Sequence, residues 1–144
     1  MKQIFTFIIL LVFIGCHSAK EEQPKEESKF VYDMYEPSEM ANLMNAMYDY
    51  NLTIKKKILK GEVPQDFPLE FMKIHTAELS DFKYRNETFE AFSTLFINAE
   101  KEVFNQDATQ SIEQRFNNAV GVCISCHQTE CTGPIPRIKK LLIQ

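Results

Sequence analysis

Apolar residues recur at three- and four-residue intervals over three stretches of the chain, and each stretch predicts an amphipathic helix. In the first, Met40, Leu43, Met44, Met47, Ile54 and Ile58 form the stripe. Ser38 supplies an N-cap, and Glu39 to Lys60 contains neither Gly nor Pro. Lys55, Lys56, Lys57 and Lys60 suit the negative end of the helix dipole, and Gly61 suits the position just past the end. Pro64 and Pro68 then interrupt the pattern; Asp66 can cap, and Leu69–His75 reads as about two turns. After the loop SDFKYRN, Asn86 caps a second helix with Phe89, Phe92, Leu95, Phe96, Ala99 and Val103 on one face. Ile112, Phe116, Ala119, Val120 and Cys123 mark a third, which must end by Gly133-Pro134-Ile135-Pro136. The tail RIKKLLI adds one or two amphipathic turns, and no internal repeat is visible.

Long helices with one short companion and brief connections predict an all-α fold, an antiparallel four-helix bundle with one shortened helix; irregular helical packing is the alternative. Composition agrees. The 144 residues suffice for one core, and 44% hydrophobic with 25% charged residues describe a globular body. Only 4 Gly disfavour an all-β fold with many tight turns. A net charge of −4 gives no electrostatic case for nucleic acid.

The first fifteen residues, MKQIFTFIILLVFIG, have a basic start, a short apolar run and a small residue before Cys16, the pattern of an export signal. Gly15-Cys16 resembles a bacterial lipoprotein cleavage site, so the expectation is a signal peptide over 1–15 and a lipidated Cys16. An ordinary secretory signal cut nearby is the alternative. The segment SAKEEQPKEESK has no large apolar residue and cannot offset its ordering entropy, so 16–36 reads as a solvated tether. Lys20-Glu21-Glu22 resembles the acidic surface-export tag of some bacterial lipoproteins. The domain is then 37–144. It is expected to be exported and anchored by acyl chains at the periplasmic membrane face or outer membrane, or at the cell surface.

The chemistry lies in Cys123-Ile124-Ser125-Cys126-His127. Cys-x-x-Cys-His is the attachment signature of c-type haem. On a helix, positions i, i+3 and i+4 share a face. Cys123 and Cys126 can therefore form thioethers with the two vinyl groups on one porphyrin edge while His127 offers a ring nitrogen to the iron. A thioredoxin-type disulfide would open a helix after a strand, and here no βαβ framework lies upstream. A zinc site would need Cys123, Cys126, His127 and Cys131, but adjacent Cys126 and His127 grip a tetrahedral ion poorly.

A c-type motif near the C-terminus of a helical bundle resembles the cytochrome c-prime family. The likeness runs over about Pro37 to Gln128 and includes a first helix ending in Lys60-Gly61-Glu62. The Asp66–His75 segment stands where that family has a long second helix, and the tail from Cys131 is unlike its usual ending. The resemblance implies that the ligand opposite His127 decides the function. An empty sixth position under an apolar side chain lets small gases bind, whereas a Met from the first half of the first helix suits an electron carrier. That half carries Met40, Met44 and Met47, and matching back from Gly61 favours Met44; core filling is the competing role for all three. His75 is the rival ligand, and His17 in the tether is a poor one.

The resulting expectation is a membrane-tethered monohaem cytochrome, not an enzyme, that passes single electrons between redox proteins outside the cytoplasm. The alternative is a five-coordinate haem protein that binds or senses nitric oxide or carbon monoxide. Arg137, Lys139 and Lys140 form a basic patch that could steer an acidic redox partner. Cys131 is expected to be buried and inert, and the family resemblance implies a possible homodimer.

Overall fold

A computed structural model describes residues 36–80 and 82–144. The signal segment, Cys16, His17 and nearly all of the tether lie outside the described residues. Among those described, every regular element is helical. Helix α1 spans Glu39–Ile58, α2 Glu87–Val103, α3 Ile112–Glu130 and the short α4 Ile135–Ile138; 3-10 segments cover Leu69–His75 and Lys139–Leu141. The all-α expectation is met.

The helix starts follow local chemistry. The Ser38 Oγ accepts from the Ala41 N–H at 3.2 Å, Asn86 Oδ1 from Phe89 at 2.7 Å, and Ser111 Oγ from Gln114 at 3.3 Å. Each satisfies an N–H that the helix itself leaves unpaired. Past α1, Gly61 adopts φ +76°, and the N–H groups of Gly61 and Glu62 reach the carbonyls of Ile58 and Lys57. This is the paired bonding of a Schellman turn, which favours Gly at its left-handed position.

Two readings of the sequence change. Asp66 does not cap the Leu69–His75 segment, whose first turn has no side-chain cap; the Asp66 carbonyl instead accepts from the Tyr50 hydroxyl. The proline pair at 134 and 136 does more than stop α3. Pro134 and Pro136 sit at the very start of α4, where their missing N–H groups cost nothing.

The interior has two hydrophobic clusters. In one, Ile54 and Ile58 of α1 meet Val103 and Phe104, the α3 residues Phe116, Ala119 and Val120, and the tail residues Ile138 and Leu141. In the other, Met40 and Met47 meet Phe71, Ile74 and Ala77 from the 3-10 region and Phe89, Phe96 and Ile97 of α2. The buried side chains of α3 are Arg115, Phe116, Ala119 and Val120, all in its first half. Its second half touches the other cluster only through the partly buried Val122 and Cys123.

The buried face of α2 is rotated from the one its apolar spacing suggests. It comprises Phe89, Ser93, Phe96, Ile97, Glu100 and Val103, while Leu95 is 54% exposed. The true stripe includes two polar residues at the same three- and four-residue steps, which an apolar pattern skips. On α1, likewise, the buried Asn51 fills the gap between Met47 and Ile54.

Candidate functional site

The second half of α3 overhangs an apolar cleft whose enclosed space is about 70 Å³. From α3 it is lined by Val122, Cys123, Cys126 and His127, and from α1 by Met44, Met47, Tyr48 and Asn51. Ile74, the α2 residues Phe89, Phe92, Ser93 and Phe96, and the tail residues Ile138 and Leu141 complete the walls. The predominance of apolar walls with a few polar groups suits a cofactor site. One turn of α3 thus brings both cysteines and the histidine of the motif to a single cavity, as their spacing predicts.

His127 is held at one nitrogen. Its Nδ1 lies 2.9 Å from the Cys131 carbonyl. A carbonyl only accepts, so Nδ1 carries the proton and Nε2 keeps its lone pair, the tautomer a metal-binding imidazole needs. The Cys131 N–H returns a bond to the His127 carbonyl at 3.1 Å, closing the C-terminus of α3 around the ring. Cys131 therefore contributes through its backbone. Its side chain is exposed, correcting the expectation of a buried thiol; the backbone turn that serves His127 carries the side chain outward.

The two motif thiols are protonated at neutral pH. Burial, with the charge of Glu100 adding to it, holds the Cys123 thiol well above its ordinary range, and burial pushes Cys126 up to about 11. Reactive redox cysteines have lowered values, so this environment does not suit a thioredoxin-type nucleophile. Nor do three or more His, Cys, Asp or Glu side chains converge as a metal cage among the described residues, which leaves the four-ligand zinc arrangement without support. A porphyrin brings its own equatorial nitrogens and asks the protein only for thiols, axial ligands and an apolar slot. Two thiols and one imidazole line the apolar cleft here.

Of the methionines in α1, Met44 and Met47 line the cleft; Met40 is buried in the core away from it. His75 does not line it. Its Nδ1 lies 3.4 Å from the Ser93 hydroxyl and 3.8 Å from the Glu90 carboxylate, one residue removed from the cavity wall. The segment carrying it does return to the start of α1, as expected: Met40 N–H donates to the Glu78 carbonyl at 2.9 Å, and Glu39 accepts from the Glu78 N–H.

The tail roofs one side of the cleft. Lys55 Nζ donates to the carbonyls of Lys140 and Leu142, and the Asn117 side chain pairs with both backbone groups of Ile143 at 2.8 Å. Arg137 bonds Asn45 and Asp49 and lies 3.8 Å over the Tyr48 ring. Arg137 is thus tied to α1 while staying exposed, as Lys139 and Lys140 are.

Sequence reasoning missed Asn51, Ser93 and Glu100, the polar residues on or next to the cavity wall. Glu100 is 1% exposed, and burial pushes its carboxyl up to about 7. Asn51 partly counters that rise but does not meet the carboxyl with full hydrogen-bond geometry. Spacing alone could have found Glu100, which sits four residues after Phe96 and seven after Ser93. No family model, curated protein or solved structure matches the chain.

Proposed function

We propose that the chain is a monohaem c-type cytochrome that carries single electrons between redox proteins outside the cytoplasm. In this reading it is a lipid-anchored relative of the cytochrome c-prime family, built as a four-helix bundle with one shortened helix. The observation that carries the proposal is the unequal filling beneath α3: its first half seals a core, and its second half turns Cys123, Cys126 and His127 toward an apolar cleft.

Haem, when bound, supplies the one-electron chemistry through the valence of its iron. The chain's residues do the rest. Cys123 and Cys126 anchor the group covalently. His127 is the axial ligand, kept in its Nε2-basic form by the Cys131 carbonyl. Met44, which the register back from Gly61 favours, would be the opposite ligand; Met47 lines the same cleft, and His75 does not. Phe89, Phe92, Phe96, Ile138 and Leu141 keep water from the cofactor, which favours the less charged ferrous state.

The test is to export the full chain in a host with a cytochrome-maturation apparatus and examine the purified protein. The expected product carries one haem in thioether linkage, lost in Cys123→Ala plus Cys126→Ala, and has a low-spin iron. Met44→Ala turns the iron high-spin and opens it to carbon monoxide, whereas His75→Ala leaves the spectrum unchanged. A colourless product overturns the proposal. A wild-type ferrous iron that is high-spin and binds carbon monoxide rapidly replaces electron transfer with small-gas binding.

A further inference from the structure

Glu100 is the one buried carboxyl whose two oxygens have no hydrogen-bond partner, among the described residues. It follows Phe96 by one turn on the face of α2 that walls the cleft, and its charge reaches Cys123 on the facing turn of α3. Its polar neighbour on α1 is Asn51, whose side-chain carbonyl oxygen is buried and equally unpartnered. Three buried acceptor atoms thus lack a full hydrogen bond. A single proton on Glu100 supplies one, since a carboxylic acid O–H can donate to the amide oxygen. With the carboxyl ionised, the Asn51 NH₂ is the donor it meets, which is the direction in which Asn51 lowers its value. The pair is built to exist in two protonation states.

We propose that Glu100 is a proton-binding site coupled to the cofactor: it takes up one proton from solvent as the haem iron accepts one electron from a protein donor, and returns it on reoxidation. The inference rests on the haem reading above. The balance is simple. Ferric iron becomes ferrous, the carboxylate becomes the acid, and the added negative charge is offset by the added positive one inside a low-dielectric site. The carboxyl already titrates near neutrality in the polypeptide itself. The positive ferric centre favours the carboxylate and the ferrous centre favours the acid, so the two oxidation states bracket that range.

The groups that share its field are few. Tyr50 of α1 is a phenol whose value is raised by burial, by Glu100 and by Asp66. Cys123 of α3 ceases to titrate once it is a thioether. On α2 itself, Lys101 is turned to the Phe67 ring, and no ion pair among the described residues involves Glu100. Of the groups whose charges reach one another here, Glu100 is therefore the one whose value lies near neutrality.

The experiment measures the midpoint potential of the haem-loaded protein from pH 5 to 9, alongside redox-difference infrared spectra. Over the window between the ferric and ferrous values of Glu100, the reduction equilibrium should fall tenfold per pH unit, which is 59 mV for one electron. A protonated-carboxyl band should appear on reduction. Glu100→Gln should flatten the potential and remove the band. Should that variant fail to load haem, Asn51→Leu retains the carboxyl and should move the bends of the curve to higher pH. A flat wild-type potential, an absent band, a slope that survives in Glu100→Gln, or bends unmoved in Asn51→Leu overturns the inference while leaving the cytochrome reading intact. A protein without haem overturns both.

Discussion

A carboxyl in the middle of an amphipathic helix is normally read as part of the solvated face, and Glu100 illustrates why that reading fails. What decides its fate is angular position relative to Phe89, Phe96 and Val103, all buried. Its cost can be stated with sign. The folded value, about 7, lies above the ordinary 4.5. The native state therefore binds the extra proton, and stability is fullest below about pH 4.5 and lost as pH rises through 7. The loss is about 3 kcal/mol. Glu100→Gln should accordingly stabilise the domain at pH 8, with the gain shrinking as denaturant unfolding is repeated toward pH 4.5. An equal gain at both pH values would contradict the burial argument. By contrast, the motif residues were legible because Cys-x-x-Cys-His encodes its geometry in its spacing, and a single helical turn suffices to express it. Asn51 and Ser93 were not, since their burial depends on what the neighbouring helices bring.

The limits of α1, α2 and α3 were legible to within a few residues, because caps and breakers are local. The contents of the connections were less so. Leu69–His75 forms 3-10 turns, without the side-chain cap that Asp66 seemed to offer. Arg115 shows how one element's end can depend on another. Its side chain is buried, and Nη1 donates to the carbonyls of Glu102, Val103 and Asn105, closing the C-terminus of α2 from α3. Removing it takes that donor from the Val103 and Asn105 carbonyls, while the Glu102 carbonyl keeps the Asn105 N–H. Arg115→Ala should cost about 2–4 kcal/mol, measured as a shift in the denaturation midpoint, without changing how the motif faces the cleft. Asn86→Ala should cost about 1 kcal/mol through loss of the α2 cap. A loss near zero at Arg115 would mean that water satisfies those carbonyls.

At the scale of the molecule, an all-α domain follows from three long periodic stretches, and the way the helices share their interior does not. The tail makes the point. The sequence of Arg137 to Ile143 suggested an appended amphipathic turn or two, but Ile138 and Leu141 belong to the core and to the cleft at once. Ending the chain after Gly133 should therefore lower the unfolding temperature and, in the haem reading proposed above, open the cofactor to water, read as a lower reduction potential. A further consequence concerns the order in which the protein matures. The residues of α3 around Phe116 and Val120 are fully buried, whereas Val122, Cys123, Cys126 and His127 on its other half are only partly so. Before cofactor attachment, backbone amides near Ile54 and Phe116 should exchange with deuterium far more slowly than those near Cys123 and His127. In the haem reading proposed above, the unprotected turn would then be the one presented to the attachment machinery, with the sealed half serving as its handle.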